Sequence, residues 1–207
     1  WTDRKHNKKD IWKSMILVKL KKIPHTNRIH ARSCEVRPLQ SKEANVFLNE
    51  NHLQGEDNAK IRLGLFYKDE LVQVMTFSSP RYNKHYEYEM IRNSSKKYHI
   101  VVGGSSKLLS HFKTTHDPQS IITYADLRYS DGKIYKTLGF IYSHISPPSY
   151  FYTNGNRIVS RIQAQKHKLS NIFDNFDEQQ SEKENMAKNN FFRVWDCGCM
   201  VFCWKKP

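Results

Sequence analysis

The stretch VVGGSSKLL, residues 101–109, has the residue types that hold a phosphate. Two glycines follow an apolar pair, two hydroxyls and a lysine follow the glycines, and Leu108 and Leu109 open a helical stripe. Backbone N–H groups at such a turn, at the positive end of a helix, are a ready site for an anion. Gly103, Gly104 and Ser105 are the candidates for the phosphate of a cofactor. Ser105, Ser106 and Lys107 are the candidates for a nucleic-acid phosphate. The same glycines also suit a tight strand-to-helix turn with close packing and no ligand.

Other candidates lie in loops. DLRYSDGK follows the apolar run SIITYA, and ligand sites of open sheets gather beyond strand C-termini. Arg128 and Lys133 are its candidate donors to bases or phosphates. The structural alternative is an Arg128–Asp126 pair with Ser130 or Asp131 as a helix cap. PRYNK offers Arg81 and Lys84 around Tyr82, a mixture suited to backbone contact and base stacking. Lys8, Lys9 and Lys13 near the N-terminus, and Arg157 and Arg161 later in the chain, complete the basic set. Cys197, Cys199 and Cys203 share one strand face, but C-x-C-x3-C with a distant Cys34 is not a zinc spacing. No metal site is expected, and no residue marks itself as a catalytic base.

These residues need elements to position them. KKDIWKSMILVKL has helical spacing and is ended by Pro24. A first strand is expected near Ser33–Pro38. SKEANVFLNENH reads as a helix with Ser41 as N-cap and Ala44, Phe47 and Leu48 on its apolar face. IRLGLFYKDELVQVMTFSS is a hairpin, and YEYEMIR a third long strand. After the glycine turn come a helix with Leu108, Leu109 and Phe112 inward, a central strand SIITYADL, a short helix in DGKIYKTLGF and a strand FIYSHI. Residues 174–190 read as a polar helix, and FFRVWDCGCMVFCW as a hairpin-like β segment. The sum is an α/β chain with one mixed central sheet flanked by helices, a basic N-terminal arm and a C-terminal β segment.

Charge decides the class of partner expected. Of 207 residues, 34 are Lys or Arg and 20 Asp or Glu, a formal net charge of +14. Residues 1–32 alone hold ten Lys or Arg against two Asp. A balance this basic points to a polyanion, and double-stranded DNA is the partner expected. The 38% hydrophobic content supports a folded core. No apolar run approaches ~18 residues and no signal peptide is visible, so no membrane partner and a cytoplasmic location are expected.

The order of long strand, glycine turn, helix, strand and Tyr135-x-x-Leu138-Gly139-Phe140 over residues 34–146 resembles the GNAT acyltransferase superfamily. That resemblance implies a GNAT-like fold and a coenzyme A pyrophosphate at Gly103–Ser105. The family's usual loop has Gln or Arg three residues before its first glycine, where this chain has Ile100. Taken together, IHARSCEVRPLQSKEANVFLNENHLQG, LGLFYKDELVQVMTF, VVGGSSKLL, IITYADLRYSDGKIYKTLGF and FRVWDCG resemble the C-terminal GNAT-like module of phage homing endonucleases of the Hef type. WTDRKHNKKDIWKSMI resembles the end of the nuclease domain that precedes it, with Arg4 and Lys5 where an acidic residue and Trp are usual. This second resemblance implies a phage-encoded protein acting in a bacterial cell. It implies a basic arm over residues 1–33 left from a preceding nuclease domain, a GNAT-like domain over 34–146, and a basic extension with a polar helix and β segment over 147–207.

The expectation is therefore a DNA-binding module that positions a nuclease on double-stranded DNA without cutting. An upstream nuclease domain or another protein would be its partner, and no cofactor is expected. The alternative is an acetyl-coenzyme A-dependent acyltransferase, acting for instance on a nucleic-acid base.

Overall fold

The computed structural model describes residues 8–207, so Arg4 and Lys5 lie outside it. In chain order the elements are helix α1 (Lys9–Lys19), strands β1 (Arg28–His30) and β2 (Glu35–Pro38), helix α2 (Ser41–Asn51), strands β3 (Ile61–Tyr67), β4 (Glu70–Ser78), β5 (Tyr88–Ser95) and β6 (Ile100–Val102), helix α3 (Gly104–His116), strand β7 (Ser120–Asp126), helix α4 (Lys133–Thr137), strands β8 (Ile141–Ile145), β9 (Tyr150–Thr153) and β10 (Ile158–Ser160), helix α5 (Glu182–Lys188), and strands β11 (Phe192–Trp195) and β12 (Cys199–Lys205). The expected mixed sheet flanked by helices is present. Seven strands run in the order β2-β3-β4-β5-β7-β12-β8, antiparallel throughout except for the β5–β7 pair.

Strand alternation gives the sheet two apolar faces. Met75 and Phe77 of β4 face α3, whose Leu108, Leu109 and Phe112 are buried against them. Phe77 and Phe112 stack with centroids 3.6 Å apart. Val74 faces the other way and packs with Ala44, Phe47 and Leu48 of α2. Both helices bury the stripes that their sequences mark. Ser41 is the first residue of α2 rather than its cap. Gln40 stands at the cap position, and no side chain closes that end.

The C-terminal third departs from its expected form. The segment read as one hairpin-like unit divides between two sheets: β11 pairs with β9 in a three-stranded sheet, while β12 inserts between β7 and β8. Gly198 makes the turn between them at φ 75°. A Cβ there would lie 2.3 Å from the Ser146 carbonyl oxygen, so the close approach needs glycine. The polar helix is confined to α5, which starts in a capping box between Ser181 and Glu184. The small sheet has its own core of Tyr152, Val159, Leu169, Met186 and Phe191. At the other end of the chain, Ile29 and Ala31 enter the main core, and β1 pairs in parallel with β6.

Phe112 is fully buried at the centre of the α3–sheet contact. Phe112→Ala is expected to lower unfolding free energy by ~3–5 kcal/mol in urea titration, the range for emptying such a site. A loss below about 1 kcal/mol would place the core elsewhere.

Candidate functional site

The parallel strands β5 and β7 stay together for three residue pairs only, ending at Met90↔Thr123. Beyond that point they part. The cause is visible one residue on. The β4–β5 register passes from Thr76↔Arg92 to Phe77↔Met90, leaving Ile91 as an extra residue in β5. A bulge bends its strand and ends pairing. Two carbonyls at the parting are taken by side chains: Thr123 Oγ1 donates to Met90 O at 3.0 Å, and Arg92 Nη1 to Ile91 O at 3.1 Å.

Three features surround this V. On the α3 side, the Tyr135 phenol of α4 lies close to the Thr123 hydroxyl. Burial raises its pKa, with Thr123 acting the other way. Tyr135 also stacks on Phe202, centroids 5.1 Å apart. On the opposite face lies a cleft of about 1100 Å³, floored by β5, β7 and β12. Glu89, Arg92, Tyr124, Asp126 and Cys199 line it; Tyr124 and Asp126 follow the period of two along β7, and the bulge at Ile91 brings Glu89 and Arg92 of β5 to the same side. Across the mouth lies α1. Its Ser14 Oγ accepts from Tyr98 N at 2.7 Å, just past β5, and its Lys19 Nζ donates to Tyr129 O at 3.1 Å, just past β7. Trp12 meets the Tyr129 ring edge-on at 5.9 Å.

The glycine turn stands beside the V. Gly103 adopts φ 76°, and no side chain caps α3. A Cβ on Gly104 would reach 2.0 Å from Gln73 Oε1, so that glycine is required by the sheet beneath it. Ser105 turns inward, to Gln73 Nε2 at 2.7 Å and Asn93 Nδ2 at 2.9 Å. Gly103 and Ser106 are the exposed members of the turn. The uncapped terminus and the open approach to Gly103 fit the diphosphate of coenzyme A. Ile100, where the related loops have Gln or Arg, offers it no side-chain donor.

The basic candidates are distributed as follows. Lys107 Nζ donates to Ala31 O at 3.0 Å and Cys34 O at 2.5 Å. Arg81 grips buried Glu89 through Nε at 2.9 Å and Nη2 at 2.5 Å. Arg128 Nη2 lies 2.6 Å from Asp126, and Lys133 lies 3.1 Å from Asp131. Lys8 Nζ reaches Asn49 O and His52 O at 3.3 and 3.2 Å. Lys84 donates to Pro80 O. Lys9, Lys13 and Arg157 lie on the surface, as does Arg161, which sits over the Tyr150 ring at 5.3 Å. Arg81, Lys84 and Arg161 line the cleft, and Lys8 and Arg128 line a smaller pocket that shares Gln54 with it.

Burial and pairing set the cleft's electrostatics. Burial pushes the Asp126 carboxyl up, but its hydrogen bonds from Arg128 outweigh this and leave it below the ordinary value. Burial, Arg92 and Lys8 together hold His52 down at about 3, so it is a neutral ring. Burial first, then Asp126 and Asp196, push the Cys199 thiol up to about 11. The sequence did not mark Arg92, Tyr124 or Tyr135 as site residues. The signal for Tyr135 was its place at the head of Tyr-x-x-Leu-Gly-Phe.

No family model matches the chain, and no curated relative does. Solved structures do. A GNAT-family acetyltransferase from Bacillus cereus is 12% identical, with a TM-score of 0.48, over 84% of this chain and 98% of that one. An alanine N-acetyltransferase of a ribosomal protein from Escherichia coli is 8% identical, with a TM-score of 0.47, over 83% and 93%. A Bacillus subtilis acetyltransferase solved with CoA is 12% identical, with a TM-score of 0.44, over 84% and 98%. The likeness to these structures is one of fold alone. The expected role of positioning a nuclease on DNA is overturned. Arg81, Ser105, Lys107 and Arg128, expected on a phosphate backbone, are held by partners within the chain. Homing-endonuclease origin finds no support in these comparisons. Among the described residues no helix is long and apolar enough to cross a membrane.

The thiolate is the reactive form of cysteine. Alkylation of Cys199 by iodoacetamide, followed by peptide mass spectrometry, should therefore rise about tenfold per pH unit from pH 7 and level off only near pH 11. A plateau near pH 8 would show that the thiol is not shielded as described.

Proposed function

We propose that this chain is an acyltransferase of the GNAT type that uses acetyl-coenzyme A. The observation that carries the reading is the parting of β5 and β7 at Met90↔Thr123, directly beside the partly buried, protonated Tyr135 phenol. Parallel strands that separate leave backbone donors and acceptors along both inner edges, and such groups need partners. An extended amide-bearing arm supplies them in the way a strand would. Gly103, the N-terminus of α3 and the exposed Ser106 hydroxyl would hold the diphosphate. When bound, the cofactor supplies an acyl group activated as a thioester.

The chain's own groups have distinct tasks in this reading. Tyr135 holds a proton at Oη, kept there by burial, on the α3 side of the V. Its neighbour Thr123 is fixed by the bond to Met90 O and so orients the phenol. The cleft on the other face receives the acceptor. Glu89 is not free to act as a base, because Arg81 holds both of its oxygens through side-chain and backbone N–H groups. Helix α1 spans the mouth through Ser14 and Lys19 and must shift for the cofactor to enter.

Acetyl-coenzyme A should raise the melting temperature of the full chain, with stabilisation of ~2.7 kcal/mol at a hundred times its dissociation constant. Tyr135→Phe should bind the cofactor as the parent does but release thiol from it ~10²–10⁴-fold more slowly, the range for losing a positioned acid. No thermal shift, or undiminished turnover in Tyr135→Phe, would count against the reading. Ser14→Ala, which removes the acceptor for Tyr98 N, should tighten cofactor binding in calorimetry; weaker binding would make α1 part of the site instead of a barrier to it.

A further inference from the structure

The cleft holds more cationic groups than its own carboxylates engage. Glu89 is held by Arg81, and Asp126 by Arg128. Asp196 Oδ1 accepts the backbone N–H groups of Ser149 at 2.7 Å and Gly198 at 2.9 Å. Three further cations line the cleft with no carboxylate within 4.0 Å among the described residues: Lys84, Arg92 and Arg161. His85 and His144 line it as well.

Arg92 is the informative member. It follows the bulge residue, so its side chain reaches the cleft beside the point where the strands part. Among the described residues its guanidinium hydrogen-bonds backbone carbonyls alone, Gly55 O at 3.3 Å from Nε and Ile91 O at 3.1 Å from Nη1. Burial presses its pKa below the ordinary value; Asp57 and, more weakly, Glu89 oppose this without forming an ion pair, and Arg81 adds to it. A partly desolvated guanidinium without a carboxylate is costly by itself, and an oxyanion on its remaining N–H groups relieves that cost. A guanidinium presents a planar fork that suits phosphate and carboxylate alike.

We propose that the acyl acceptor carries a phosphate or carboxylate group, received in the cleft by Arg92 with Lys84 and Arg161 at its rim. The inference rests on the acyl-transfer reading for the word acceptor; the oxyanion site itself stands on the cleft alone. Held there, the anion anchors the acceptor beside the parting strands and leaves its nucleophile directed at the V.

The test uses the full chain and inorganic phosphate, followed by amide and Arg Nε–H signals in nuclear magnetic resonance at constant ionic strength. Saturable shifts should centre on Ile91, Arg92 and Tyr124. Arg92→Gln should weaken phosphate binding at least tenfold, and Lys183→Gln, on exposed α5, should leave it unchanged. Should Arg92→Gln fail to fold, the map of the parent chain decides. Shifts confined to Gly103–Ser106 would overturn the proposal and assign phosphate to the cofactor turn, leaving the acyl-transfer reading in place. The absence of saturable shifts, or equal binding by Arg92→Gln, would also overturn it. If Arg92 responds to phosphate but acetyl-coenzyme A does not bind, the oxyanion site stands and the acyl-transfer reading falls.

Discussion

The parting of β5 from β7 is the constraint on which the rest of this structure depends. A parallel pair that runs for three residues and then opens cannot close its backbone hydrogen bonds from within the sheet. The extra residue Ile91 imposes the opening, and β12 holds β7 in place from its other side along seven paired residues. With β7 held and β5 bent, the V is a fixed feature of the sheet. The remaining elements are arranged about it: α3 and α4 on one face, the cleft on the other, α1 across the mouth.

This arrangement separates two kinds of chemistry by a sheet one strand thick. The α3 face offers an uncapped helix end and a partly buried phenol, which the proposed reading assigns to a phosphate-bearing donor and to proton retention. The opposite face offers fixed charges in a cleft shared with the C-terminal segment, through Arg161, Asp196 and Cys199. Some of the cations that suggested DNA have partners inside the chain, as Lys107 has in the carbonyls of Ala31 and Cys34, and others line the cleft.

The sequence made local features legible. The β3–β4 hairpin, the apolar stripes of α2 and α3 and the strand-to-helix turn at Gly103 all follow from spacing and turn chemistry over a few residues. What it did not disclose depends on contacts distant in the chain. The place of β12 between β7 and β8 joins residues more than fifty apart in the chain, and no periodicity records that choice. The bulge at Ile91 is a difference in register between two strands and has no composition of its own. Arg92 did not stand out, because what distinguishes it among the described residues is that no carboxylate comes within 4.0 Å of it in the folded chain. Arg81 and Lys107 read as free cations for the converse reason: their partners, Glu89 and the Ala31 and Cys34 carbonyls, are met only in the folded chain.

Hydrogen exchange of individual amides, with and without acetyl-coenzyme A, tests the central claim most directly. If the V is a cofactor slot, exchange should slow on both of its inner edges, at Ile91–Ser95 and at Tyr124–Asp126, and at Gly103–Ser106. Exchange unchanged on all three stretches at saturating cofactor would contradict the account.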